Sequence, residues 1–307
     1  MLQVVTGFAV IWVLVLVGYL VARFGLLGDA GQATLTRLAF YVLAPALMVS
    51  TLARSSPGRI FTAALATFVL STLAVSALHV LFARLRHNRD VADLTVGALA
   101  AGYVNAGNLG IPIAAYILGD VGFIAPVLMF QVLLASPTAL AVLDVATGEG
   151  RPSWRRLAAL PLRNPLLIGS AAGIAVMLSG VDPPRPVLEP FALLGGAAVP
   201  MTLLALGMSL RGSRPLRSGP DAAERGAAVL LKSVVQPLLA YLIGRFLFGL
   251  DGPMLLAAVV TSALPTAQNV YVFASHYGRN APFARDVIVL STAVSAVTLV
   301  VVAALLG

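Results

Sequence analysis

Residues 102–112 read Gly102-Tyr103-Val104-Asn105-Ala106-Gly107-Asn108-Leu109-Gly110-Ile111-Pro112, in the middle of an apolar run over about 92–118. Two Asn, three Gly and one Pro make a poor helix interior. Each Gly costs roughly 1 kcal/mol relative to Ala there, and Pro about 3. The stretch therefore predicts a helix that breaks and restarts. A second apolar run, over about 253–277, carries the corresponding interruption at Ala263-Leu264-Pro265-Thr266-Ala267-Gln268-Asn269.

The rest of the chain shows what surrounds these breaks. It has 307 residues, 59% hydrophobic and 10% charged, with a mean hydropathy of +0.96. A soluble domain carries roughly 25% charged residues, so this chain could not keep its surface in water. At roughly 20 apolar residues per membrane span, ten spans leave room only for short loops. The expectation is an all-α polytopic membrane protein. Unwound backbone at membrane depth survives only where it is buried in protein or lines a wet cavity.

Hydropathy and breaker residues place spans at about 2–22, 32–53, 60–83, 92–118, 122–147, 163–180, 187–210, 224–248, 253–277 and 282–306. The first lacks a charged leader and cleavage site, so it reads as a retained span and not a signal peptide. Residues 1–147 form a first five-helix half, 148–162 a polar linker and 163–307 a second half. Basic residues gather in cytoplasmic loops. Fourteen arginines fall in the loops on the linker's side, and four (Arg54, Arg59, Arg185, Arg245) on the other. That tally puts both termini outside and the linker in the cytoplasm. It also accounts for the net charge of +8 without nucleic acid.

The halves are related. Pro45 and Pro200 are 155 residues apart, Pro112 and Pro265 are 153 apart, and Pro126 and Pro282 are 156 apart. Five spans per half means the second copy enters the membrane reversed, an inverted repeat. The two breaks then fall at the same rank, in spans 4 and 9. A Pro suits the first position of a restarting half-helix, so Pro112 and Pro265 would each open one. The free N–H groups behind them form positive dipole ends. Crossing near the midplane, two such ends make a site for a carboxylate or similar anion. Asn105, Asn108, Thr266, Gln268 and Asn269 add neutral donors, which hold an anion without trapping it.

These residues resemble the auxin efflux carrier family, which includes the plant PIN-formed carriers and bacterial organic-anion permeases of the malate–malonate type. The likeness runs through Asn105 and Gly110-Ile111-Pro112, then Gln131, Arg163-Asn164-Pro165 and Leu206-Gly207-Met208. It continues in Ala263-Leu264-Pro265 and Val272-Phe273-Ala274, and covers essentially the whole chain. The resemblance implies ten transmembrane helices in two inverted five-helix repeats, with broken, crossing helices 4 and 9. It further implies a scaffold part, a mobile part, elevator-like alternating access and a homodimer in the cell (inner) membrane. By that resemblance Asn105, Pro112 and Pro265 would line the substrate site; the residues at and beside the breaks add Asn108, Gly110, Gln131, Thr266, Gln268 and Asn269 as candidates. The helix-9 segment departs from the plant pattern: it is more polar, and Ser275-His276 stands in place of a Lys-Glu pair. A small mono- or dicarboxylate is the substrate class this implies, with auxin-like acids within it.

Ionisable residues inside spans are candidates by default. Lys232, Asp144 and His276 are those for anion steering or coupling. Lys232 either draws anions from the cytoplasm or snorkels to the interface. Asp144 and Asp286 read better as interfacial carboxylates, His276 as a loop histidine and His79 as structural. No carboxylate lies within either break, which favours a uniporter or proton-linked carrier. With no Cys and three scattered His, no metal site or cofactor is expected, and no set of side chains suits an enzyme. Two alternatives stand beside this reading: a sodium-coupled organic-acid carrier like the bile-acid symporters, and a non-transporting sensor or partner subunit.

Overall fold

A computed structural model describes residues 2–28, 30–54, 62–87, 89–148, 165–181, 183–209, 211 and 222–307. The linker's residues 149–162, Arg163 and Asn164 of the Arg-Asn-Pro motif, and the loop arginines Arg59, Arg151, Arg155, Arg156, Arg214 and Arg217 lie outside the described residues, as do the side chains of Leu206 and Ser275.

The described residues are helical almost throughout. Helix α1 spans Leu2–Arg23, α2 Gly31–Leu52, α3 Ala63–His87, α4 Val91–Gly102, α5 Ala106–Leu118 and α6 Val121–Ala146. Next come α7 over Pro165–Ser179, α8 over Arg185–Gly196 and α9 over Ala198–Ser209. The series closes with α10 over Ala222–Leu247, α11 over Gly252–Ala263, α12 over Gln268–His276 and α13 over Ala281–Leu306. Among the described residues, six segments are long and apolar enough to cross a membrane: α2, α3, α6, α10, α13 and the α8–α9 segment Arg185–Ala205. These match expected spans 2, 3, 5, 8, 10 and 7. Spans 4 and 9 are each split in two, as α4 and α5 and as α11 and α12.

Four of the prolines inside these helices follow a widened turn. Pro45, Pro112, Pro137 and Pro237 each stand two residues past a π-helical turn, at Ala39–Leu43, Ala106–Gly110, Gln131–Ala135 and Leu231–Val235. Proline lacks an N–H and its ring crowds the carbonyl four residues back. Widening the preceding turn relieves both, because backbone bonds there reach back five residues. Thus the Gln236 N–H donates to Leu231 O, and the Ser136 N–H to Gln131 O. This corrects both expected restarts. In span 4 the helix resumes at Ala106, and Pro112 lies inside α5, carried by the π turn before it; in span 9 it resumes at Gln268, three residues past Pro265.

The chain divides into two compact units. The first contains residues 1–62, 107–128 and 161–215; the second contains 63–106, 129–160 and 216–307. Within the first, α1 and α9 pack backbone to backbone. A Cβ on Gly207 would run into the Val15 carbonyl, and one on Gly18 into the Leu204 carbonyl, so only glycine permits this approach. That is the physical content of the Leu206-Gly207-Met208 motif. Outward-facing Val13 and Leu16 are exposed, as lipid-facing residues should be.

The second unit has an apolar core drawn from α4, α6, α10, α12 and α13, including Val96, Leu143, Val270 and Val287. One of its ends is tied by ions. Arg89 Nη2 lies 2.8 Å from Glu224 Oε2, and Arg225 lies 3.3 Å from Asp286.

Candidate functional site

The two interruptions meet in the second unit. After Gly102 the chain turns extended at Tyr103, and after Ala263 it turns extended at Leu264. Val104 and Thr266 then face each other as an isolated antiparallel bridge. The Asn105 N–H donates to Pro265 O at 2.8 Å, and the Ala267 N–H to Tyr103 O at 3.0 Å. Each break thereby supplies the partner the other lost by leaving its helix.

Side chains from three other helices complete the accounting. Gln131, on the π turn of α6, donates its amide N–H to Val104 O at 2.8 Å. The Thr266 hydroxyl donates to Ala100 O at 2.7 Å, taking one of the carbonyls left over at the end of α4. The Thr266 N–H donates to Ser291 Oγ of α13 at 3.1 Å. Tyr103 Oη lies 2.8 Å from Ser136 Oγ and also hydrogen-bonds the Asn269 side chain. Lys232, on the π turn of α10, is fully buried and donates to Ser262 O at 3.1 Å and to Gln236 Oε1.

Of the candidate residues, Asn105, Gln131, Pro265, Thr266 and Asn269 are thus brought together around the bridge. Gln268 and Asn269 open α12 and are exposed, whereas Asn105 and Gln131 are buried. Asn108, Gly110 and Pro112 belong to the first unit, and Gly110 and Pro112 are buried in it. Lys232 neither snorkels nor faces water. Asp144 is buried and accepts a hydrogen bond from the Tyr277 hydroxyl, which makes it a packed polar group. His276 is exposed, with its ring edge-on to Tyr277.

Several partners at the bridge were not among the sequence candidates: Ser136, Gln236, Ser262 and Ser291. For the first two a signal exists, because Ser136-Pro137 and Gln236-Pro237 each put a polar residue before a proline inside a span. Ser262 and Ser291 carry no local signal.

Chemically, the arrangement spends most of its buried polar groups on itself. What it turns outward is the start of α12, with the exposed amide side chains of Gln268 and Asn269. Ala267, just before α12, has no side-chain acceptor to cap the helix start. An N-terminus of this kind suits an anion.

The membrane transport protein family matches residues 3–145 and 154–303. The chain belongs to that family. Among curated relatives of this membrane transport protein, a "Putative malonate transporter" of Rhizobium meliloti is 30% identical over 93% of this chain and 90% of its own length. An "Uncharacterized transporter" of Methanothermobacter thermautotrophicus is 27% identical over 94% of this chain and 93% of its own. The protein is accordingly a multi-pass membrane transporter and not an enzyme.

Proposed function

We propose that the protein is a secondary carrier for small organic anions, with malonate-like dicarboxylates as the leading class and monocarboxylates and auxin-like acids within its chemistry. The observation that carries this reading is the Val104–Thr266 bridge. It holds two unwound backbones together inside apolar segments and presents the uncapped start of α12 beside them. Substrate carboxylate is bound by the α12 N–H groups, Gln268 and Asn269, with Asn105 and Pro265 shaping the site from the bridge.

The second unit, which contains both partners of the bridge, is the mobile part of an elevator-like cycle, and the first is the scaffold. The recurring proline offsets support ten spans in two inverted five-helix repeats with crossing fourth and ninth helices. The arginine tally supports external termini and a cytoplasmic linker. A homodimer follows the family resemblance.

Malonate uptake into proteoliposomes tests the reading. Saturable uptake competed by malate, lactate or indole-acetate is expected. Asn105→Ala should abolish it while the protein is still recovered folded. At 100 times its dissociation constant malonate should stabilise the wild type by roughly 2.7 kcal/mol. Folded protein that neither binds nor moves any carboxylate would overturn the proposal.

A further inference from the structure

The break in the second half exposes one particular atom. In an unbroken helix the Thr266 N–H would bond to Ser262 O, four residues back. Here that N–H goes to Ser291 Oγ, and Ser262 O, near the C-terminal end of α11, is released. Lys232 takes it. Its Nζ donates to Ser262 O at 3.1 Å and to Gln236 Oε1, with no part of the residue exposed.

Further oxygens surround this pair. Gln236 is oriented by donating its own amide to Thr72 Oγ1 at 2.9 Å, which leaves its oxygen turned to the lysine. Ser262 Oγ lies 3.3 Å from Ser71 Oγ of α3. Among the described residues, no carboxylate pairs with Lys232. A lysine buried without a counter-carboxylate is a costly means of capping one carbonyl; a serine or amide donor would serve. What the pocket supplies is a carbonyl at the negative end of a half-helix dipole plus an amide oxygen. Interrupted membrane helices hold a coupling sodium ion with that same chemistry.

We propose that Lys232 Nζ is a tethered cation standing in the coupling-ion position of the paired breaks, so that the carrier works without sodium. The inference rests on the transport reading above, but its decisive test does not need a substrate. The Nζ group donates to the C-terminal end of α11 from within the chain, and no free ion has to arrive there before the paired breaks are satisfied.

The test compares purified wild type and Lys232→Ala in sodium chloride, methylammonium chloride and choline chloride at equal ionic strength. Wild-type melting temperature, and malonate uptake where it occurs, should be the same in sodium and choline. Lys232→Ala vacates the pocket, and its melting temperature should be lower in choline and rise by several degrees with sodium or methylammonium. A folded Lys232→Ala indifferent to both cations would overturn the proposal. So would a wild type whose stability or uptake rises severalfold with sodium. Where Lys232→Ala is not recovered, Lys232→Ser gives the same readout, and the wild-type comparison can still overturn the inference. Cation rescue in a protein that ignores malonate would sink the substrate reading and leave the ion position standing.

Discussion

The backbone N–H of Asn105 lies 2.8 Å from the carbonyl oxygen of Pro265, joining positions 160 residues apart in a chain with few polar groups to spare. The bond uses only main-chain atoms. It does not run through the Asn105 side chain, and the junction's stability depends on the side chains that brace it.

Gln131 is one brace. Gln131→Leu keeps the volume and removes one of two donors to Val104 O, leaving the Ala106 N–H at 2.9 Å. A loss of about 0.5–1.5 kcal/mol is expected. Thermal melting in detergent checks it, and an unchanged melting temperature would mean the remaining donor suffices for that carbonyl.

Ser291 is a second. Its hydroxyl accepts from the Thr266 N–H at 3.1 Å and donates to Ile288 O at 3.2 Å. Ser291→Ala strands a buried N–H at the heart of the bridge and should lower stability by about 1–3 kcal/mol. Ser179→Ala, altering an exposed helix-end hydroxyl, should do far less. Equal effects of the two would remove Ser291 from the account.

In the first unit the test is steric. Gly207→Val forces side-chain atoms against the Val15 main chain, which has no rotamer to yield. Overpacking of this kind costs about 1–3 kcal/mol. Gly196→Ala meets nothing within 4 Å and should be neutral. The yield of monodisperse protein and its melting temperature separate the two.

The ionic end of the second unit offers a cycle. Glu224 is buried and Arg89 partly exposed, at 2% and 22% of the side chain. Arg89→Met leaves the buried carboxylate only the His79 ring, 3.8 Å away, and should cost about 2 kcal/mol, below the ~3–5 kcal/mol typical of fully buried pairs because water still reaches the arginine. Arg89→Met combined with Glu224→Leu should recover part of that loss in a denaturant titration. Strict additivity of the two substitutions would show that the pair is uncoupled.

Much of this protein is legible in one dimension. Hydropathy determines that it crosses a membrane, and Gly, Pro and Asn clusters determine where two of its helices fail. These are local properties, set by the free energy of a short segment in lipid or in a helix. The π turns were half-visible, since a proline within a span must be accommodated somehow. Yet the same proline rule misplaced the restart at Pro112, because a widened turn can carry proline inside a helix. Which groups satisfy the broken backbone was decided only in three dimensions. Nothing near Lys232 in sequence announces Ser262, and nothing near Thr266 announces Ala100 or Ser291. Apolar surroundings make an unmet hydrogen bond expensive, so every freed N–H and carbonyl must find a partner; packing between distant helices alone determines which one.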